Sequence, residues 1–519
     1  MLLVADSIAR NAGRDPSGVG LIFEDEVWTW LDMERATNRI ANALLDAGVG
    51  SGDFVSMLSR NRTEHVLTYL ATARIGAIFS PVNFWLREQE IIWLLSEVKP
   101  KLIVTEPEWF NVVHQHATEH STPVFALDEP SPGFSSWDEV TAAASDKAPE
   151  VTVDERDPHI VFYTSGTTGA PKGVLKSQRT HVLNAMQFAV ALGLTDRDRG
   201  ICAFPLFNVG GYESILHKYF FVGAGVVLLR KFDPAAVVSA LLVHKVTTAL
   251  FNPTHFRLLL DSPDLEGATF DDLRLLYIGG MIAPEKLLKE VCTAFGTELD
   301  QIIHIYGQSE AYPLITTLPG EYAVSKSGSI GRAVPGVELQ LLDDAGTVVS
   351  GPGSGQIVIP SDEVMLGYLN NPAATAATLV GGWLLTGDIA KRDEDGFLYI
   401  VGRIKEMIRS GGQSVYPSEI EPVLGQHPQV KEVCVIGTPD PTGVWGEEVC
   451  AVIVPVAGTT PDPDALKRFA SARLAGYKVP KRIEFVDEIP KSASEKVARA
   501  TLQERFGSIF DQPTTGSAK

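Results

Sequence analysis

The stretch YTSGTTGAPKGV, residues 163–174, places six serine, threonine and glycine residues between a tyrosine and a proline, and Lys172 follows. Glycine lets a backbone approach an anion closely, and each hydroxyl adds a hydrogen-bond donor. The residues before it, HIVFYT (159–164), predict a β-strand, and a helix is predicted at about 180–192 after a short link. The pattern indicates a polyphosphate-binding loop, although these residues alone fit a flexible surface loop equally well.

The spacing of this stretch differs from that of a Walker A loop, which requires GxxxxGK[ST]. Here Pro171 precedes the lysine and Gly173 follows it. A different class of nucleotide-binding protein is therefore indicated.

The composition limits the possible partners. The chain has 519 residues, of which 45% are hydrophobic and 21% are charged, so two or more globular domains are expected. The net charge of -20 argues against a broad surface for nucleic acid or for an anionic membrane. We expect no nucleic-acid partner and no membrane, and both a monomer and a homodimer remain open.

The expected compartment is the cytoplasm. The four cysteines are scattered and form no CxxC pair, which favours a reducing environment. The first residues, MLLVADSIARN, lack the basic region of a signal peptide. The run YFFVGAGVVLL (219–229) is shorter than the roughly 20 residues that a membrane helix needs.

Helix and strand patterns alternate through most of the chain. TWLDMERATNRIANALLDAG (29–48) predicts a helix capped by Thr29, and FVSML and VLTYLATARIG predict the next strand and helix. Beyond about residue 320, short apolar runs rich in glycine predict a small antiparallel sheet or barrel.

These patterns predict an α/β fold with largely parallel strands. The large N-terminal domain, 1–403, is expected to contain layered α/β subdomains and a small β-barrel-like part. A small α+β C-terminal domain is expected at 404–511, followed by a disordered tail at 512–519.

Five motifs, in order along the chain, carry a family resemblance. TSGTTGAPKG (164–173) resembles the signature of the adenylate-forming enzymes, namely acyl-CoA synthetases, luciferases and peptide-synthetase adenylation domains. YGQSE (306–310), TGD (386–388), GRIKEMIRSGGQSVYP (402–417) and PKSASEKVAR (490–499) resemble the later motifs of that family. The resemblance covers nearly the whole chain, which is identified on this basis as a member of the acyl-CoA synthetase branch.

The resemblance implies an ATP-dependent carboxylic acid–CoA ligase that uses Mg²⁺. Such an enzyme forms an acyl-adenylate with release of pyrophosphate, and then transfers the acyl group to the thiol of coenzyme A with release of AMP. The C-terminal domain is mobile in this family and swings about a hinge between the two half-reactions. A medium-sized hydrophobic or aromatic acid is the expected substrate.

The resemblance also assigns roles to individual residues. The residues expected to bind the nucleotide are Thr164, Ser165, Gly166, Thr167, Thr168, Gly169 and Lys172 at the phosphates, Tyr306 and Gly280 at adenine, Ser309 at a phosphate, and Asp388 and Arg403 at the ribose. The residues expected in the acid pocket are Asn208, Gly279, Gly280 and Met281.

The remaining roles concern chemistry and motion. Glu310 is expected to hold Mg²⁺, because a carboxylate is the hard oxygen ligand that this ion prefers. Lys496 is expected to stabilise the charge that develops during adenylation. Lys405 is the expected hinge, and Gly411 and Gly412 are expected to line the passage for the pantetheine arm of coenzyme A.

Two positions depart from the family pattern. Glu495 stands where a glycine usually precedes the catalytic lysine. A glutamate at this position lacks the conformational freedom of glycine and adds a negative charge beside the lysine. A partial ligase that mainly transfers acyl groups from a preformed adenylate is therefore an alternative. Asn208 stands where a histidine is often found, so either the gate of the acid pocket differs or the pocket is wider.

Two further alternatives remain open. A stand-alone adenylation enzyme would load a carrier protein, although the segment FNVGG (207–211) lacks the aspartate that many amino-acid-activating members have. A non-catalytic nucleotide-binding scaffold is disfavoured because Glu310, Asp388, Arg403 and Lys496 are all present.

Overall fold

A computed structural model describes residues 3–164, 171–410, 413–440, 446–491 and 497–507. The chain forms two compact units. The first comprises the described residues of Met1–Thr164, Lys172–Leu339 and Val358–Leu385, and the second those of Gln340–Ile357 and Thr386–Lys519. The domain boundary predicted between residues 403 and 404 remains our proposal, and the predicted tail at 512–519 lies outside the described residues.

The strands are β1 (Val19–Phe23), β2 (Glu26–Thr29), β3 (Phe54–Leu58), β4 (Ile78–Pro81), β5 (Leu102–Thr105), β6 (Val124–Ala126), β7 (Ser135–Ser136), β8 (Pro158–Thr164), β9 (Lys172–Ser177), β10 (Arg199–Cys202), β11 (Gly225–Leu228), β12 (Thr248–Phe251), β13 (Leu275–Ile278), β14 (Ile302–Tyr306), β15 (Thr316–Pro319), β16 (Arg332–Ala333), β17 (Gln340–Leu342), β18 (Gly353–Pro360), β19 (Gly367–Tyr368), β20 (Leu379–Val380), β21 (Trp383–Arg392), β22 (Leu398–Arg403), β23 (Ile408–Ser410), β24 (Gln413–Val415), β25 (Val430–Pro439), β26 (Glu447–Pro455) and β27 (Arg482–Phe485).

The helices are α1 (Asp6–Arg14), α2 (Trp30–Asp46), α3 (Thr63–Ile75), α4 (Glu88–Val98), α5 (Phe110–His120), α6 (Trp137–Ala143), α7 (Gln178–Leu192), α8 (Val209–Gly211), α9 (His217–Val222), α10 (Pro234–Val243), α11 (Pro253–Leu260), α12 (Glu285–Phe295), α13 (Pro372–Thr378), α14 (Pro417–Leu424), α15 (Pro463–Ser471) and α16 (Arg499–Gly507). A π-helical turn, Tyr212–Leu216, joins α8 to α9.

Two large sheets dominate the first unit. One has the order β16-β15-β14-β13-β12-β10-β11-β1-β2, and its central strands from β14 to β1 are parallel. The other has the order β19-β9-β8-β4-β3-β5-β6-β7, and its strands from β8 to β7 are parallel. The predicted α/β layering with largely parallel strands is therefore confirmed.

The helix predicted at 29–48 shows why these residues fold as they do. The side chain of Thr29 accepts a hydrogen bond from the backbone of Asp32, and the Asp32 carboxylate accepts one from the backbone of Thr29, so the first turn is capped from both sides. Met33, Ile40 and Leu44 then bury one face of α2 in the core. The predicted helix is confirmed as α2.

Strand β9 corrects one prediction. The short link expected before the helix at about 180–192 is a strand that pairs antiparallel with β8, and the helix itself is α7. Lys176 is fully buried in this strand. Because a lysine interrupts the apolar pattern, the sequence did not indicate a strand here.

The second unit is built from smaller sheets, in which antiparallel pairs predominate. From Asp388 opposite Arg403 to Arg392 opposite Leu398, β21 pairs antiparallel with β22, which agrees with the antiparallel sheet predicted in this part of the chain. Strand β26 pairs antiparallel with β25 and parallel with β27, and α14 packs on β25 and α15. This is the compact α+β arrangement predicted for the C-terminal region.

All four cysteines are free thiols. Among the described helices, none combines the length and the apolarity that crossing a bilayer requires.

Candidate active site

The β8–β9 hairpin holds the two ends of the predicted phosphate loop next to each other. Thr164 ends β8 and lies opposite Lys172, which begins β9. The hydroxyl of Thr164 donates a hydrogen bond to the carbonyl of Lys172 at 3.4 Å. Ser165, Gly166, Thr167, Thr168 and Gly169 lie outside the described residues, so their contact with phosphate stays a prediction.

Lys172 and Glu310 both contact a tyrosine that the sequence did not single out. Tyr368 lies in β19, opposite Val174 of β9. Its hydroxyl donates a hydrogen bond to Oε1 of Glu310 at 3.0 Å, and the Nζ of Lys172 lies 4.7 Å from the centroid of its ring. Burial, and then the Glu310 carboxylate, raise the pKa of the Tyr368 hydroxyl, so it remains protonated and can donate.

The turn after β14 positions Glu310. A Cβ on Gly307 would lie 2.3 Å from the carbonyl carbon of Pro313, so only glycine fits this tight reversal. The backbone N–H of Gln308 donates to the carbonyl of Tyr312 at 2.9 Å and closes the turn. Ser309 and Glu310 therefore lie in a turn.

Tyr306 is the last residue of β14 and lies opposite Thr316 of β15. Its side chain is half-buried. The strand thus fixes the position of this tyrosine, and the predicted stacking on adenine stays a prediction.

The fold itself favours glycine at the two glycine positions predicted to line the acid pocket, Gly279 and Gly280. A Cβ on Gly279 would lie 3.0 Å from Cγ1 of Ile305, and Gly280 has a positive φ of 82° that favours glycine. The neighbouring Met281 is 57% exposed. Contact of these residues with an acid stays a prediction.

Asn208 caps the short helix α8. Its side-chain oxygen accepts a hydrogen bond from the backbone N–H of Gly211 at 3.3 Å. The side chain of Asn208 therefore has a local structural role, whether or not it also contacts a substrate.

The predicted ribose-binding pair lies in the second unit. Nε of Arg403 donates to Oδ1 of Asp388 at 2.9 Å, and the two residues face each other across β21 and β22. The side chain of Asp388 is 4% exposed and that of Arg403 is 48% exposed. The backbone N–H of Asp388 also donates to the hydroxyl of Thr386 at 3.1 Å. The strand pair thus holds the carboxylate inside and carries the guanidinium to the surface.

The predicted residues for motion and transfer are only partly described. Lys405 lies in a 3-10 turn, Ile404–Glu406, and is exposed. Gly411, Gly412, Glu495 and Lys496 lie outside the described residues.

The donor set is suited to Mg²⁺ bound together with a nucleotide. The described residues contain no group of three or more histidine, cysteine, aspartate or glutamate side chains that could hold a metal ion. Mg²⁺ often takes one or two carboxylates and completes its shell with phosphate oxygens and water. Glu310, with one oxygen already fixed by Tyr368, is suited to that role.

A buried ion pair near the hairpin also escaped the sequence analysis. Nζ of Lys176 lies 2.6 Å from Oε2 of Glu213, which is carried by the π-helical turn, and both side chains are fully buried. Burial raises the pKa of Glu213, and the lysine opposes that shift. Two buried histidines, His159 and His217, have pKa values lowered by burial to about 3 and about 4. No spacing in the sequence indicated this cluster.

The family comparisons agree with the motif order. Residues 8–369 match the model of the AMP-binding enzyme family, and residues 419–496 match that of the AMP-binding enzyme C-terminal domain.

Similar proteins of known function extend over nearly the whole chain. An indoleacetate–CoA ligase of Aromatoleum aromaticum is 34% identical over 504 residues, covering 96% of this chain and 98% of the relative. A fatty acid–[acyl-carrier-protein] ligase, ScoC of Streptomyces coeruleorubidus, is 33% identical over 96% of this chain and 95% of its own length.

A solved structure extends the similarity to the fold. The o-succinylbenzoate CoA synthetase of Bacillus subtilis, in complex with its acyl-adenylate intermediate, is 29% identical with a TM-score of 0.82, and 99% of each chain is covered. The same synthetase has also been solved with ATP and a magnesium ion.

Proposed function

This chain belongs to the AMP-binding enzyme family, and we propose which of its residues serve each step of its reaction. It is an AMP-forming acid–CoA ligase that uses ATP, Mg²⁺ and coenzyme A. One observation carries the proposal. Lys172 contacts the ring of Tyr368 and Glu310 accepts from its hydroxyl, so a cation suited to phosphate and a carboxylate suited to Mg²⁺ meet at one tyrosine in the first unit.

In the first half-reaction, a carboxylate oxygen of the acid attacks the α-phosphorus of ATP, and the bond to the pyrophosphate oxygen breaks. Lys172 and the hydroxyl and amide donors of residues 164–169 hold the departing phosphates. Glu310 would hold Mg²⁺, which offsets phosphate charge. Lys496 orients the carboxylate and the α-phosphate and offsets the charge that builds on them.

The ion pair of Arg403 and Asp388, in the second unit, orients the nucleoside. Asp388 accepts hydrogen bonds from ribose hydroxyls, since a carboxylate can accept several at once. Arg403 keeps that carboxylate in place through its Nε and extends its guanidinium to ribose or phosphate.

In the second half-reaction, the thiol of coenzyme A attacks the acyl carbonyl, a thioester bond forms, and the acyl–phosphate bond breaks to release AMP. We propose that the C-terminal domain turns about Lys405 between the two steps. Gly411 and Gly412 then line the passage for the pantetheine arm, and Lys496 withdraws.

The proposed substrate is a medium-sized aromatic or hydrophobic acid. The two CoA ligases compared above are named for indoleacetate and o-succinylbenzoate, which are both aromatic carboxylic acids. We place the enzyme in the cytoplasm, as a monomer or a homodimer.

Loading of a carrier protein is the second candidate, because one relative is named as a ligase of fatty acids to acyl-carrier protein. It shares the adenylation step and differs only in the acceptor thiol.

A paired assay tests the proposal. Pyrophosphate release is measured with ATP, Mg²⁺ and a panel of aryl, arylacetic and fatty acids. Thioester formation is measured separately from synthetic acyl-adenylates with coenzyme A or with a phosphopantetheinylated carrier protein.

We expect robust release with aromatic acids and transfer to coenzyme A. Lys496→Ala should lose release by about 100-fold or more while keeping transfer within about threefold. Transfer without release by the wild type would instead support the partial ligase suggested by Glu495. Absence of both activities would contradict the proposed function.

A further inference from the structure

We propose that Tyr368 is a positioning residue that keeps Lys172 and Glu310 from forming an ion pair, so that the lysine stays available to phosphate and the carboxylate to a divalent cation. This role of Tyr368 rests on the proposed functions of Lys172 and Glu310 in ATP binding.

The position of Tyr368 is fixed by its own strand and by α13. Its backbone N–H donates to the hydroxyl of Thr375 at 2.9 Å, and it is 9% exposed. Gly367, just before it, has a φ of 148°, and a Cβ there would lie 2.9 Å from Cγ2 of Thr375. The ring is therefore held in place independently of Lys172 and Glu310.

The hydroxyl of Tyr368 fixes the carboxylate. It donates to Oε1 of Glu310, and the backbone carbonyl of Glu310 accepts a hydrogen bond from the N–H of Met365 at 2.9 Å. Both the main chain and the side chain of Glu310 are thus tied to the segment that carries Tyr368. Among the described residues, none donates a hydrogen bond to the other carboxylate oxygen of Glu310, Oε2.

Lys172 and Glu310 contact different parts of Tyr368. The ammonium of Lys172 lies over the ring face, where the electron-rich surface attracts a cation, and it forms no ion pair with Glu310. Opposite charges at a partly buried site attract strongly once they come within about 4 Å. Because such a pair would have to be broken before either partner could bind a ligand, its absence keeps both charges ready.

Three variants separate this role from simple packing. Tyr368→Phe keeps the ring and removes the hydrogen bond to Glu310. Tyr368→Leu removes both the ring and the hydrogen bond, so Lys172 can close on Glu310. Tyr368→Leu/Glu310→Gln removes the charge that would trap the lysine, with Glu310→Gln as its reference.

Two binding measurements report on the two charges. ATP affinity without metal, by calorimetry, reports on Lys172. Mn²⁺ affinity of the ATP complex, by electron paramagnetic resonance, reports on Glu310. Tyr399→Phe is the matched control, because its hydroxyl also contacts a carboxylate, Asp393 at 3.4 Å in the second unit.

We expect Tyr368→Phe to weaken Mn²⁺ binding about three- to tenfold and to leave metal-free ATP binding within about twofold of the wild type. Tyr368→Leu should weaken metal-free ATP binding about tenfold, and the double variant should return to within about twofold of Glu310→Gln. Tyr399→Phe should match the wild type in both measurements.

If metal-free ATP affinity in Tyr368→Leu/Glu310→Gln stays well below that of Glu310→Gln, the positioning role of Tyr368 is overturned. Such a loss would come from packing, which removing the charge of Glu310 does not restore. Should Tyr368→Leu not fold, unchanged Mn²⁺ affinity in Tyr368→Phe overturns that role instead. A wild type that binds ATP but releases no pyrophosphate with any acid would contradict the proposed function alone, since the binding comparisons do not depend on turnover.

Discussion

In the second unit Arg403 and Asp388 form a direct ion pair at 2.9 Å, whereas in the first unit Lys172 contacts the ring of Tyr368, Glu310 accepts from its hydroxyl, and the two do not pair. The direct pair gives an almost fully buried carboxylate a cationic partner, which compensates its loss of contact with water. The separated charges are uncompensated by each other and stay open to ligands. We propose that the same two charge types serve orientation in one unit and ligand binding in the other.

Buried groups of the first unit add two further arrangements. Lys176 and Glu213 form a direct pair with no solvent exposure, and His217 is kept neutral by burial. This chain therefore carries ionisable groups in three arrangements: paired with an opposite charge, held apart from an opposite charge, or kept neutral by burial. For each arrangement we expect a different effect when one of its groups is replaced.

The largest effect is expected at the fully buried pair. Lys176→Met leaves the carboxyl of Glu213 fully buried without its cationic partner, so the free energy of unfolding should fall by about 3–5 kcal/mol. Urea unfolding, followed by hydrogen exchange of β8 and α7, measures the loss. Lys176→Met/Glu213→Leu should recover most of it.

The matched control is Lys289→Met, which removes the lysine of an exposed pair with Glu285. Its loss should not exceed about 1 kcal/mol. Equal losses in the two single variants would show that burial does not distinguish these pairs.

The next largest effect is expected at the direct pair of the second unit. Asp388→Ala removes the proposed acceptor for ribose hydroxyls and the partner of Arg403, so kcat/KM for ATP should fall about 100-fold. Pyrophosphate release measures this. Glu394→Ala, an exposed acid on the turn between β21 and β22, should change it less than about twofold. A loss below threefold in Asp388→Ala would remove Asp388 from the nucleotide site.

The dependence of stability on acid pH should show that buried His217 is neutral in the folded protein. The pKa of His217 is lowered to about 4 by burial, while an unfolded histidine titrates near 6.5. The unfolded chain therefore takes up the proton first as pH falls, and acid favours unfolding.

Between pH 6.5 and pH 4, the wild type should lose about 1.4 kcal/mol per pH unit more than His217→Gln, or about 2 kcal/mol at pH 5. Urea unfolding of the first unit at pH 7, 6 and 5 checks this. Parallel curves for the two proteins would mean that His217 is not held neutral.

The smallest effect is expected at the separated lysine. Lys172→Met should weaken metal-free ATP binding about ten- to twentyfold, at least as much as Tyr368→Leu, and reduce its dependence on salt, because one half-exposed charge is lost. Calorimetry at two ionic strengths measures both. Lys101→Met, an exposed lysine before β5, should leave both unchanged, and an equal effect there would indicate only a change in net charge.

The sequence predicted much of the fold because local patterns specify it. The cap of α2 and the apolar strand β8 are written in consecutive residues, and both are confirmed. Strand β9 was missed because its stability depends on a distant partner, Glu213, which makes a buried lysine acceptable. A charge in a strand is explained only by residues that the fold brings to it.

The motifs allowed a prediction for each residue of the candidate site, and those ligand contacts stay predictions; the arrangement of the residues could not be predicted. Asp388 and Arg403 each matched a motif, yet nothing in the spacing indicated that they bond to each other across β21 and β22. Tyr368 lies 58 residues after Glu310 and reaches Lys172 only because β19 pairs with β9. The tyrosine belongs to no motif that we recognised, so only the structure reveals it.

The π-helical turn Tyr212–Leu216 determines where this part of the chain can vary in length. A π turn holds about one residue more than an α turn, so the extra residue widens the helix and hardly changes the direction of the residues that follow. Losing that residue would restore α geometry and leave His217 and Lys218, both fully buried, facing the same way, with Lys218 still near the hydroxyl of Tyr277 to which it donates. A deletion within α9 would instead turn the residues after it by about 100°. Single-residue deletions in homologues should therefore fall within Tyr212–Leu216 rather than within α9.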